Sequence, residues 1–368
     1  MQTAKNYGIN HYRFHTCCPP DAAFTAADLL GIYMEPELPF WGTLAAPGEE
    51  GYQEEEQQYL IALGEKMLKT FGNHPSFVMF SLGNELWGNP KHIGSILRHY
   101  REMDNRRLYT QGCNNFQHFP LTMPEEDFYV GVRLSKERLL RGSYGMCDAP
   151  LGHVQTDRPN TMHSYDEVIY PKDNTDASEG TADEIEIQYG TGVKKVQVQS
   201  ASGGLIPGKP IITHEIGQYQ VFPDFREIEK YTGPLKARNL TVFRERLAEK
   251  GMLDQAEDFF RCSGKLAAAC YKEELESVMR SQYIAGFQLL DLQDFSGQGT
   301  ALVGMLDAFM DSKNILSPEE WRMFCWDSVI LAQFPSYVCI AGEMFVAKVS
   351  LRTTAVNIPP ECTVQWLM

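Results

Sequence analysis

The sequence predicts an α/β fold, a (β/α)8 barrel with one unit absent, and three observations carry that prediction. Short β-rich runs alternate with amphipathic helical stretches along most of the chain. Each β-rich run ends in polar or aromatic residues, as barrel strands do where they reach the catalytic rim. The length of 368 residues covers a barrel of the usual ~250 residues and leaves room for insertions. A doubly wound sheet would need a Gly-rich phosphate loop after its first strand, and INHYRFHTCCPPD contains none.

In chain order, Met1 to Tyr7 reads as the end of a helix that runs into the first strand, 9–15. Further strands are expected at 31–38, 76–85, 107–114, 160–166, 209–215 and 284–291. Between them, Leu60, Leu63, Met67, Leu68 and Phe71 recur at helical spacing within 52–71, and Ile93, Ile96, Leu97 and Tyr100 do so within 89–103. These stripes are core faces and not binding grooves. The stretch 115–159 is long and irregular. Residues 183–204, with DEIEIQY, a GTG turn and VKKVQVQ, form a β-hairpin insertion of the kind that shapes a pocket rim. Two or more helices fill 224–281. The last stretch alternates like strands of a β-domain, so residues 1–334 are expected to form the barrel, incomplete at its N-terminus, and 335–368 the start of a truncated β-sandwich.

Composition narrows the function. The chain carries 33 Lys+Arg against 48 Asp+Glu, a net charge of −15, with 43% hydrophobic and 22% charged residues. This is globular composition. The acidic balance and the lack of a basic stripe argue against nucleic acid as a partner. No apolar run approaches the ~18 residues that a spanning helix requires. Nine Cys without paired spacing make neither a disulfide framework nor a zinc site, and Cys17-Cys18 reads as two small buried residues. The N-terminal segment MQTAKNYGIN has neither the apolar core nor the cleavage site of a signal peptide.

The chemistry is expected at strand ends. Glu85 closes HPSFVMFSLGNE and Glu215 closes KPIITHE, each after a strongly apolar run. One such carboxylate is ordinarily a surface or salt-bridged residue. Two, brought together by barrel closure, supply what glycoside hydrolysis requires: one acid with a raised pKa and one nucleophile. Asn84 is suited to hold a sugar hydroxyl, and Trp41 and Trp87 to give apolar platforms for sugar rings. His11, His15, His74, His163 and His214 are dispersed with no HExxH spacing, so no metal site is expected. His15 and His214 read equally as sugar-hydroxyl donors or as structural residues. Cys113 reads as packing, and no GxSxG elbow is present.

SLGNE after HPSFVMF resembles the acid/base segment of glycoside hydrolase family 2, and KPIITHEIGQY resembles that family's nucleophile segment. INHYRFHTCCPPDAAFTAADLLGIYMEPELP is similar to the family's strand 2, helix 2 and strand 3. The resemblance implies a retaining β-glycosidase that hydrolyses terminal sugars from glycans by double displacement, with Glu85 as acid/base and Glu215 as nucleophile. It implies that Arg13 lies near the nucleophile, that Glu37 is the strand-3 acidic residue, and that Asn114, His163 and Tyr165 are pocket residues at strand-5 and strand-6 ends. Strand 8, GFQLLDLQDFSGQG, lacks the family's Trp, and Gln288, Gln293 and Asp294 are expected to offer polar contacts in its place. The partner implied is an oligosaccharide or glycoside, and the mechanism demands no cofactor. Members of the family are often exported. An alternative is a catalytically silent barrel fragment that binds carbohydrate.

Overall fold

The polypeptide begins with α1 (Gln2–Asn6), β1 (His11–Phe14), α2 (Asp21–Leu30) and β2 (Tyr33–Pro36) in the computed structural model. The structure describes residues 1–112, 121–135, 137–145, 151–171, 205–295 and 297–354, residues 361, 363 and 365, and the backbone of 182–189 and 192–199. A short strand β3 (Thr43–Leu44) precedes α3 (Glu54–Phe71), β4 (Met79–Ser81), β5 (Trp87–Gly88), α4 (Pro90–Met103), β6 (Leu108–Thr110) and β7 (Tyr129–Gly131). Next come α5 (Asp166–Ile169), the strands β8 (Ala182–Tyr189) and β9 (Gly192–Gln199), and β10 (Ile211–Gly217). Helices α6 (Arg238–Glu249) and α7 (Ala256–Arg280) lead to β11 (Ile284–Leu290), α8 (Pro318–Arg322), β12 (Ser328–Gln333) and β13 (Lys348–Thr353).

Local chemistry sets several of these boundaries. Asn89 caps α4 by accepting from the amides of Lys91 and His92, with Pro90 in the first turn, where its missing N–H costs nothing. Gly31 ends α2 in the left-handed conformation, at φ 66°. Ser317 and Glu320 form a reciprocal capping box at the start of α8.

The strands that follow helices run parallel. β1 pairs with β2, β4 with β6, and β10 lies between β7 and β11. Bridges Met34–Phe77 and Glu37–Ser81 join β2 to β4, and the Asp127 amide donates to the Tyr109 carbonyl between β6 and β7. The spatial order therefore follows the chain order from β1 to β11. Among the described residues no ladder joins β11 to β1, and the sheet does not close on itself. The expected hairpin is present as the antiparallel pair β8 and β9.

Two apolar clusters support the strands. One packs Phe24, Met34, Leu60, Phe77, Phe80, Tyr100 and Tyr109 beneath α2, α3 and α4. The other packs Tyr129, Tyr271, Leu275 and Trp321 around α7 and β10, and Tyr12 touches both. The helical stripes read from spacing are the ones buried: Leu60, Met67 and Leu68 on α3, and Ile93, Ile96, Leu97 and Tyr100 on α4.

One expectation changes. Residues 160–166 form no strand; they turn into α5, and the Tyr165 amide donates to Ser281 Oγ at the end of α7. The strand of that region is β7, whose Tyr129 and Val130 are buried, as are the flanking Phe128 and Val132. A strand covered on both faces carries no alternation, so its run FYVGV was passed over inside the irregular stretch. The division expected after residue 334 falls between two paired strands, because β12 and β13 run antiparallel from Ser328–Thr353 to Gln333–Lys348.

The close approach of α3 and α4 depends on Gly64. A Cβ there would lie 2.4 Å from the Tyr100 hydroxyl, which is fully buried and held by the carbonyls of Leu60 and Ile61. Gly64→Ala is expected to destabilise the protein by ~1–3 kcal/mol through overpacking, read as a lower denaturant midpoint; an unchanged midpoint would show that the helices separate freely.

Candidate active site

Beyond β4 the chain passes through Leu82, Gly83 and Asn84 to Glu85. Gly83 has φ 138°, and a Cβ there would meet the Phe40 carbonyl oxygen at 2.3 Å, so the turn requires glycine. Glu85 then takes φ 48°, and Glu215, within β10, takes φ 46°. Left-handed conformations cost about 1–3 kcal/mol at a non-glycine residue, and they persist where surrounding structure imposes them. The register of β10 on β11 also shifts between Thr213 and Ile216, a bulge that re-aims the Glu215 side chain.

Both carboxyls face one cavity of about 1290 Å³, lined by Arg13, His15, Trp41 and Arg141 among others. Oxygens of Glu85 and Glu215 lie within 4.8 Å of each other and of a His214 ring nitrogen. Arg13, on β1, ties the site together. Its Nε donates to Glu37 Oε1 at 2.7 Å, Nη1 to Glu215 Oε1 at 2.8 Å, and Nη2 to Asn84 Oδ1 at 2.6 Å and Glu37 Oε2 at 3.1 Å. The Thr16 amide also donates to Glu37 Oε2. Arg141, in the loop after β7, donates from Nε to the His214 carbonyl and stands 4.0 Å from Glu215 Oε2.

This environment separates the two carboxyls. Burial, and then the charge of Glu215, push Glu85 up to about 8 against the pull of Arg141, Arg13 and a hydrogen bond from Trp41. For Glu215, burial alone would act in the same direction; the guanidinium charges of Arg13 and Arg141 outweigh it and hold the group well below the usual carboxylate range. His214 is itself driven down to about 3 by burial. It is therefore neutral at pH 7, and the two guanidinium groups are what keep Glu215 ionised there. At neutral pH the pair consists of one acid and one anion.

The structure sorts the sequence-predicted residues. Arg13, His15, Trp41, Asn84, Glu85, Glu215 and Gln293 all line the cavity. The His15 ring meets Trp41 edge-on with centroids 5.6 Å apart. Glu37 is fully buried behind the cavity wall, with both oxygens committed to Arg13 and Thr16, so it positions Arg13 and does not meet a ligand. His214 likewise sits behind Glu215, fully buried. Asp294 is locked in an ion pair with Lys313 Nζ at 2.6 Å. Trp87 lies in β5, paired with Thr43, away from the cavity. His163 and Tyr165 also lie away from it: His163 stacks on His153 at 3.9 Å, and Tyr165 is buried in the core beside α7. They were assigned to a strand end, and their segment is a turn. Asn114 and Cys113 lie outside the described residues.

Sequence reasoning missed Arg141 and Asp291, both on the cavity wall. Asp291 follows the last residue of β11, where burial pushes its carboxyl up to about 6, and strand-end position could have marked it. Arg141 follows no strand and had no such mark. Glu85, His214 and Glu215 are close enough to offer ligands to a cation. Arg13 and Arg141 occupy the surrounding space with positive charge, which disfavours a divalent ion there.

Residues 1–127 match the family model "Glycosyl hydrolases family 2, TIM barrel domain". The matched stretch includes Arg13, Glu37, Asn84 and Glu85 and ends before Glu215. No curated protein shows significant similarity to the chain. Among solved structures, a GH2 β-galacturonidase from Eisenbergiella tayi bound to glycerol aligns at 14% identity and TM-score 0.50, covering 87% of this chain and 46% of its own. A β-glucuronidase from Bacteroides uniformis aligns at 13% identity and TM-score 0.47, covering 91% and 33%. One from Parabacteroides merdae aligns at 12% identity and TM-score 0.46, covering 90% and 36%. At 14% identity the likeness to the β-galacturonidase is one of fold. The chain spans between a third and half of the length of these proteins.

The raised Glu85 carboxyl has a consequence for stability. Its folded-state value of about 8 exceeds the ordinary 4.5, so folding is favoured below the ordinary value and loses stability as pH rises through the folded one. Glu85→Gln removes that penalty. The variant should match the native protein near pH 4 and exceed it at pH 8.5 by on the order of 2 kcal/mol, discounted for partial exposure. Denaturant titrations at the two pH values check this; a variant less stable at pH 8.5 contradicts the assigned ionisation.

Proposed function

We propose that this chain, whose residues 1–127 match the model of the TIM barrel domain of glycosyl hydrolases family 2, holds the catalytic centre of a retaining β-glycosidase that removes terminal sugars from glycans. The observation that carries this reading is a pair of adjacent carboxyls, one protonated and one ionised at neutral pH. Glu215 attacks the anomeric carbon while Glu85 transfers its proton to the departing glycosidic oxygen, leaving a covalent glycosyl ester. Glu85, now anionic, takes a proton from water, which attacks the same carbon and frees Glu215. The separation of at most 4.8 Å between oxygens fits the ~5–5.5 Å carboxyl spacing of retaining enzymes and leaves no room for the water of an inverting site at ~6.5–9.5 Å.

On this reading the parallel strands belong to a (β/α)8 barrel without its first βα unit, open between β11 and β1. Support comes from the chain-order arrangement of β1 to β11 and from the side chains of both edge strands that line one cavity. The same open seam favours a second reading, a catalytically silent domain that binds carbohydrate.

Assay on aryl β-glycosides separates the two, with a panel of galactoside, mannoside, arabinoside, glucuronide and galacturonide. The last two are included because the similar solved structures are named for them and because Arg141 brings a cation to the cavity. Glu215→Ala should abolish turnover, and Glu85→Ala should lower it by ~10²–10⁴-fold. The kcat/KM of the native protein should fall above about pH 8, where Glu85 loses its proton. Turnover that survives Glu215→Ala, or a fluorosugar that labels another residue, refutes the assignment. Saturable sugar binding without turnover supports the silent reading.

A further inference from the structure

A chain of buried polar groups runs behind the nucleophile, and its hydrogen-bond directions are determined by the donor and acceptor inventory. Glu35, on β2, is fully buried. Its Oε2 lies 2.9 Å from His11 Nε2 and accepts from Gln288 Nε2 at 3.0 Å. The Gln288 amide thus turns its NH₂ toward Glu35 and its oxygen toward His214. That oxygen lies 3.1 Å from His214 Nδ1. An amide oxygen can only accept, so Nδ1 carries the hydrogen. In the neutral ring, Nε2 is then a bare lone pair, and it lies 3.5 Å from Glu215 Oε1. Nε2 is buried and has no hydrogen-bond partner.

We propose that Gln288 is a positioning residue that, oriented by Glu35, holds His214 in the Nδ1–H tautomer so that the imidazole donates no hydrogen bond to the nucleophilic oxygen of Glu215. This rests on the glycosidase reading for its consequence, but not for its geometry. A proton on Nε2 would point at Glu215 Oε1, spread the carboxylate charge and weaken its attack on the anomeric carbon. The Nδ1–H tautomer leaves Arg13 as the donor to that oxygen. His214 is faced by Glu215 on β10, Gln288 on β11, Arg13 on β1, Glu85 beyond β4 and Arg141 beyond β7. The arginines and burial favour the uncharged ring, and Glu215 opposes them. Exchanging Gln288 for a carboxylate would shift that balance toward imidazolium.

The test has a spectroscopic arm that involves no substrate. In the full chain labelled with ¹⁵N-histidine at pH 7, His214 is assigned by the resonance lost in His214→Gln. Its long-range ¹⁵N–¹H pattern should show hydrogen on Nδ1 and a lone pair on Nε2. In Gln288→Glu the same ring should be mostly doubly protonated at pH 6. The acid limb of kcat/KM should then rise by a pH unit or more, with a loss of about tenfold at pH 6 that recovers toward pH 8 and an unchanged KM. Glu35→Gln, an isosteric change at a residue that does not itself line the cavity, frees the Gln288 amide to flip and should give a mixture of tautomers. It decides the matter if Gln288→Glu does not fold. Hydrogen on Nε2 in the native protein, or variants that leave the His214 pattern unchanged, overturns the proposal. Failure of the glycosidase reading would remove the kinetic arm and leave the tautomer result intact.

Discussion

A single guanidinium group holds the candidate site together. Arg13 reaches Glu37, Asn84 and Glu215, which belong to three other strands and their ends, and each contact is a hydrogen bond of 2.6–3.1 Å. Two buried carboxylates would otherwise stand in a medium that penalises charge by several kcal/mol per ion. The cation offsets that cost and also directs it. Glu215 is bonded to Arg13 and keeps its charge, whereas Glu85 has no such bond and keeps its proton. The division of labour between the carboxyls thus follows from which of them the arginines reach, Arg13 by a direct hydrogen bond and Arg141 at 4.0 Å.

The remaining structure makes that geometry rigid. Both catalytic candidates adopt left-handed backbone conformations, one after a glycine that nothing else could replace and one within a bulge of β10. Strain of this kind survives only on a well-packed base, and the apolar clusters beneath α3, α4 and α7 provide one, meeting at Tyr12 beside Arg13. Behind the nucleophile, the polar row His11, Glu35, Gln288 and His214 sets the orientation of a ring that touches Glu215. Each hydrogen bond in the row fixes the direction of the next, so Glu35 orients Gln288 and Gln288 orients the His214 ring.

Where the sequence was legible, a short-range pattern was responsible. The stripes of α3 and α4 show the helical period; β1, β2, β4, β6 and β11 lie within runs whose ends turn polar, and β10 overlaps such a run and extends two residues past it. β7 was not legible because both of its faces are covered, and His163 and Tyr165 were misplaced because a polar, aromatic heptapeptide resembles a strand end until α7 is packed against it. Arg141 follows no strand and enters the cavity only by the path of its loop. Glu37 and His214, expected from the sequence to face a ligand, are both fully buried beside Arg13 and Glu215.

The sequence by itself determined the α/β alternation, the hairpin, and the two glutamates that end apolar runs, because these depend on periodicity and on the cost of a carboxylate beside a dry core. Only the tertiary structure decided which glutamate keeps its proton. That property depends on charges within a few ångströms, and the ones that matter are far away along the chain: Arg13 lies 202 residues from the Glu215 oxygen it binds.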